Sequence, residues 1–180
     1  MGYTTVFTGR FNLNKKLDEE TFNFLNKLAN TRRVKRDVNK LKKMGYNGNY
    51  GIEGEFFVEG TGFMGQDDDE SVIDGNRPPI TQPGLWLQWI PTEDKMGLEW
   101  DQGEKFYEAE TWIEYLINKI LEPNGYIVNG IVNAQGEDSG DKYNITVINN
   151  KVLTNGGFSK SASKPSFNKW YKSAYDIDLD

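Results

Sequence analysis

Apolar positions recur along this chain at two spacings, and each predicts a different element. Phe22, Leu25, Leu28 and Ala29 fall three and four residues apart, which predicts an amphipathic helix over 19–31. Asp18 precedes it as an N-cap, and Glu19 and Glu20 put negative charge at the positive end of the helix dipole. Val34, Val38 and Leu41 repeat the helical spacing through a basic stretch, predicting a second, short helix with one apolar edge. Ala109, Trp112, Ile113, Leu116, Ile117, Ile120 and Leu121 form the broadest stripe, a helix over 105–121 that Pro123-Asn124-Gly125 stops.

Elsewhere the period drops to two. Residues 3–11 are β-branched and aromatic and read as a strand. Residues 51–59 alternate, with Ile52, Gly54, Phe56 and Val58 on one face and Glu53, Glu55, Phe57 and Glu59 on the other. Residues 85–90 are apolar on both faces, as in a central strand, and 96–101 return as a hairpin partner. Residues 126–134 and 142–148 alternate as strands, and Asn149-Asn150 suits a two-residue turn into a last strand at 151–154. Residues 45–51 and 60–84 read as loops, the second long enough to suggest function. The order predicts an α+β fold: a single domain over 1–154, with an antiparallel sheet carrying two or three helices. A Gly/Ser/Lys linker and aromatic tail follow over 155–180.

Composition narrows the chemistry. A chain of 180 residues suits one domain, and folding at this size buries roughly 70% of the unfolded surface. There is no Cys and no His. Disulfides, thiolate metal sites, Ser–His and Cys–His hydrolases and two-histidine ribonucleases are therefore excluded. No apolar run of about 18 residues is present, and the first residues lack the charge and hydropathy pattern of a signal peptide. The net charge of −6 conceals a sorted distribution. Residues 1–43 carry eleven Lys/Arg against four Asp/Glu, whereas residues 44–110 carry three against fifteen. Such asymmetry points to a macromolecular partner.

Four clusters are candidates for function. Arg32, Arg33, Lys35, Arg36, Lys40, Lys42 and Lys43 lie within twelve residues. They suit phosphate contact with nucleic acid through counterion release, or a solvated helix face that balances the acidic half. Glu53, Glu55 and Glu59, on one face of a strand with the first two about 7 Å apart, are candidate catalytic carboxylates. They would share a cation or raise one pKa to supply a general base for RNA cleavage; the plainer reading is a solvent-facing strand. Asp67, Asp69 and Asp74, with Asp68 and Glu70, suggest oxygen ligands for a divalent cation, although the EF-hand pattern is not met. The same acids also suit an exposed loop, or mimicry of phosphates in a basic cleft. Trp86, after a Pro-rich stretch, and Trp170 and Tyr171 in the tail are candidate partner anchors; a strand Trp is otherwise core. No P-loop, dinucleotide fingerprint or kinase signature is present.

The segment from Gly51-Ile52-Glu53-Gly54-Glu55-Phe56-Phe57-Val58-Glu59-Gly60 through Gly65-Gln66-Asp67 and Asn76-Arg77-Pro78-Pro79 resembles a family of small acidic phage and prophage proteins. Thr81-Gln82-Pro83-Gly84-Leu85-Trp86, Gly103-Glu104-Lys105-Phe106-Tyr107 and Gly125-Tyr126 to Gly136-Glu137-Asp138 continue the likeness, which covers roughly residues 10–153. The resemblance implies an anti-defence protein in the host cytoplasm, an inhibitor of a CRISPR nuclease whose partners are the effector protein, its guide RNA or both. It brings no catalytic residue to any position. A ribonuclease using Glu53, Glu55 or Glu59, and a non-catalytic accessory phage protein, are the alternatives.

Overall fold

The computed structural model describes residues 2–59 and 68–156. Their elements in chain order are β1 (Val6–Thr8), β2 (Arg10–Leu13), α1 (Glu19–Asn30), β3 (Lys35–Arg36), α2 (Val38–Lys43), β4 (Val72–Asp74), β5 (Trp89–Pro91) and β6 (Gly97–Trp100). Then come α3 (Ala109–Leu116), which runs on as a π-helical segment over Ile117–Leu121, and the meander β7 (Val128–Gln135), β8 (Lys142–Ile148) and β9 (Lys151–Gly156). Seven strands form one sheet in the order β5-β6-β2-β7-β8-β9, with β1 also paired to β7. Every pairing is antiparallel. β3 and β4 make a separate two-stranded ribbon. This is the α+β architecture that the periodicities predict. Among the described residues no helix is long and apolar enough to cross a membrane.

Alternation along β7 shows how the layers sit. Val128, Val132 and Ala134 are buried while Asn129, Ile131 and Asn133 are exposed. The buried row joins Leu25 and Leu28 of α1 and Trp112, Ile113 and Leu116 of α3 in one core. Trp89 lies at its centre, fully buried, with Phe7, Phe11 and Phe106 edge-on at 5.1–5.4 Å and its Nε1 donating to Ala109 O at 2.9 Å. A smaller cluster of Leu41, Tyr50 and Phe57 lies under α2.

Several elements differ from the pattern. The strand expected over 85–90 as a central one is β5, Trp89–Pro91, at an edge of the sheet. The strand expected over 3–11 is two strands because Gly9 breaks it at φ +107°, where a Cβ would come within 2.9 Å of Ile131 O. Both halves still pair with β7. The helix expected from 105 starts at Ala109, since Lys105 and Glu108 have positive φ. The basic stretch makes a short strand before it makes a helix, because Lys35 and Arg36 pair with β4 inside the expected loop. β9 runs two residues past its expected end.

Asp18 caps α1 as expected, accepting from Thr21 N at 2.7 Å and from Tyr126 Oη at 3.1 Å. The Thr21 bonds, with help from Tyr126 and Lys15, hold its carboxyl below the usual value. A carboxyl depressed in the folded state contributes stability above its unfolded pKa, near 4, and loses it as pH falls through the folded pKa. Asp18→Ala should therefore lower the urea midpoint at pH 7, with the gap to the parent closing as pH falls below about 4. An equal gap at pH 2.5 and pH 7, followed by circular dichroism, would contradict an ionised cap.

Candidate functional site

The Gly51–Glu55 segment turns tightly. Gly51, Glu53 and Gly54 have φ of +70°, +55° and +79°. A Cβ on Gly51 would meet Glu55 Oε2 at 2.6 Å, and one on Gly54 would meet Arg36 Cβ at 3.0 Å. The two glycines thus permit a 3-10 turn over Ile52–Gly54 where alternation alone predicted a strand. The turn sends Glu55 inward, to 0% exposure.

Glu55 is bonded on all sides. Its Oε1 accepts from Tyr115 Oη at 2.7 Å and Thr81 Oγ1 at 3.0 Å. Its Oε2 accepts from Ile52 N at 2.9 Å and lies 3.6 Å from Lys119 Nζ. Its backbone carbonyl takes Arg33 Nη2 at 2.8 Å and Gln82 Nε2 at 2.7 Å. Gln82 also donates to Tyr115 Oη and accepts from Arg33 Nε. Arg33 is buried, and burial draws its guanidinium down to about 10, opposed by Tyr115 and Glu55 and assisted by Arg36, so it stays cationic at neutral pH. Burial also lowers Lys119, against the pull of Glu55.

Lys119 is the member of this network that reaches an open groove. Its side chain is 16% exposed and stands 5.5 Å over the Phe56 ring. The groove, about 600 Å³, is lined by Phe24, Phe56, Asn49, Asn124, Glu20 and Lys119. Its walls combine two aromatic rings with charged and amide side chains, while the carboxylate behind Lys119 is closed to solvent.

The other expected residues are distributed as follows. Glu53, Glu55 and Glu59 do not share a strand face, because the turn separates them. Glu53 accepts from Ile80 N at 2.7 Å and pairs with Lys35 at 3.6 Å, and Glu59 accepts from Tyr50 Oη at 2.6 Å. The basic segment does not form one solvated face. Arg33 and Arg36 are each 2% exposed, Arg36 pairing with Asp69 and Ser71 and lying 4.6 Å over Phe57. Arg32 donates to Gly75 O and Asn76 Oδ1. Lys40, Lys42 and Lys43 are exposed on α2. Of the expected cation ligands, Asp67 lies outside the described residues. Asp69 is occupied by Arg36 and Ser71, and Asp74 caps Asn76 N and pairs with Arg77. Among the described residues no three acidic side chains converge. Trp86 is half-buried beside a 170 Å³ cleft shared with Asn30, Gln88 and Asp101, where burial raises Asp101. Trp170 and Tyr171 lie outside the described residues.

Sequence reasoning missed Thr81, Gln82, Tyr115 and Lys119. A signal was available for two of them: Lys119 is the one cation in the apolar 109–121 stripe, and Tyr115 stands four residues before it, on the same helix face.

Removing one partner of a buried pair leaves an uncompensated charge. Glu55→Ala should therefore destabilise by about 3–5 kcal/mol in urea unfolding. Adding Lys119→Met should recover part of the loss. Strictly additive effects in the double-mutant cycle would show that the two groups are not coupled.

No family model, curated protein or solved structure matches the chain.

Proposed function

We propose that this chain is a non-catalytic anti-defence protein that inhibits a CRISPR nuclease by docking on a basic surface of the effector protein. The observation that carries the reading is how the fold uses its charges. Two of the three arginines of the basic segment are drawn inward: Arg33 and Arg36 are buried, and the neighbouring Lys35 is paired with Glu53. More than half of the described acids of the middle segment face out, although Glu55 and Glu110 are buried. Asp68, Glu70, Glu93, Asp94, Asp101, Glu104 and Glu108 are exposed, against Arg77 and Lys105 as the exposed cations among the described residues of that segment. A surface of this sign steers towards a positively charged groove and repels a phosphate backbone. The ribonuclease alternative is the weaker reading, since each of Glu53, Glu55 and Glu59 is engaged by internal donors. Guide-RNA contact is the second reading, and Lys40, Lys42 and Lys43 on α2 are what favour it.

The test is target cleavage by guide-loaded effector nucleases, with and without the protein. Asp68→Lys with Glu70→Lys, and Asp101→Lys with Glu104→Lys, should slow association by about tenfold or more at low salt and relieve inhibition. Lys40→Glu with Lys42→Glu and Lys43→Glu should leave inhibition intact, and guide RNA should run undegraded on a denaturing gel with Mg²⁺. Inhibition lost only with the lysine variant would move the site to RNA. Inhibition unaffected by either acidic pair would reject docking through this surface.

A further inference from the structure

The two edges of the large sheet are built differently. β5 is three residues long and ends in Pro91, a short edge with a blocked donor. β9 is six residues long and pairs with β8 in uninterrupted register from Lys151↔Ile148 to Gly156↔Tyr143. Among the described residues it has no second neighbour. Asn149 and Asn150, at φ +46° and +71°, make a two-residue turn, so Ile148 and Lys151 form the first hydrogen-bonded pair. Pairs then alternate, and Val152, Thr154 and Gly156 turn their N–H and C=O groups to the open edge. An edge of this length without proline, bulge or inward charge is a template for another strand.

The chain holds a segment that fits it. Residues 157–180 follow directly from β9 and lie outside the described residues. They end in Tyr175-Asp176-Ile177-Asp178-Leu179-Asp180, a strict alternation of apolar and acidic side chains over six residues, the length of β9. We infer that Tyr175–Asp180 adds as a strand to the open edge of β9 in the same molecule. Its acidic row matches the face on which Lys151 is exposed, and its apolar row matches the face on which Val152 packs against the core. The eighteen residues from 157 to 174 reach up to ~60 Å when extended, whereas β9 spans about 20 Å. Closure entropy grows only with the logarithm of loop length, so a connection of this size does not prevent the pairing.

Amide hydrogen exchange tests it. In the full chain Val152 and Thr154 should be protected, and a chain ending at residue 174 should exchange both on the order of tenfold faster, with Ile145 and Val147 unchanged. Full-length Ile177→Asp should reproduce the truncation, and the protection should not change with protein concentration in a monomer by light scattering. Equal exchange at Val152 and Thr154 in all three proteins would overturn the proposal. So would protection that disappears on dilution, which would assign the strand to a second copy.

Discussion

A carboxylate removed from water has about four lone-pair positions to satisfy, and an unmet one is costly in a low-dielectric interior. Glu55 meets the demand with Thr81, Tyr115, Ile52 N and Lys119. These groups come from three separate parts of the chain; Arg33 adds a fourth, and with Gln82, next to Thr81, it locks the backbone of Glu55 itself. The 51–55 turn, the Pro-rich stretch around Thr81 and the end of α3 are thereby held together. A shift of any one of them leaves a buried charge without its partner. That is why the turn needs glycine at 51 and 54: a side chain there would push Glu55 or Arg36 out of place.

The same logic acts on the whole charge distribution. Arg10–Asp94, Lys35–Glu53 and Arg36–Asp69 each join a cation of the basic N-terminal quarter to an acid of the middle segment. The two halves neutralise each other in part within one molecule. The pairs are unequal: Arg10–Asp94 is open to water and contributes little, whereas Arg36 is buried, against both Asp69 and the Phe57 ring. Burial works to raise Asp69, but the bonds from Ser71 and Arg36 outweigh it and hold the carboxyl low. Among the described residues of the middle segment, what remains outside is mostly negative, so the local field there is set by what the interior has already taken up.

Elements whose pattern is local were legible in the sequence. The stripes of α1 and of 109–121, the Asp18 cap, the β7–β8–β9 meander and the Asn149-Asn150 turn follow from spacing and turn chemistry within a few residues. The candidate site was not legible, because it rests on contacts between distant segments. Ile52, Phe56 and Val58 alternate as a strand would, and only positive φ at Gly51, Glu53 and Gly54 overrides them. Arg33 looked solvated beside six other cations; its carbonyl and amide partners lie twenty to fifty residues away in the sequence. Gln82 sat in a stretch read as loop, since nothing in its neighbours marks a buried amide.

As it is bonded here, Glu55 is closed to solvent. For Glu55 to take a proton from a substrate, water or ligand would have to reach it. That requires parting Lys119 and Tyr115 from it, which exposes the charges whose burial fixes the turn. The pull of Glu55 on Lys119 works the same way: burial depresses the ammonium, the carboxylate supports it, and removing either changes the other. What the network shows outside is open to a ligand without parting these bonds. That is the Lys119 end of the groove, together with surfaces whose side chains are not committed to the interior. A protein built like this has its polar specificity inside and its freedom to meet partners on its faces and edges, where a substitution alters recognition without disturbing Glu55.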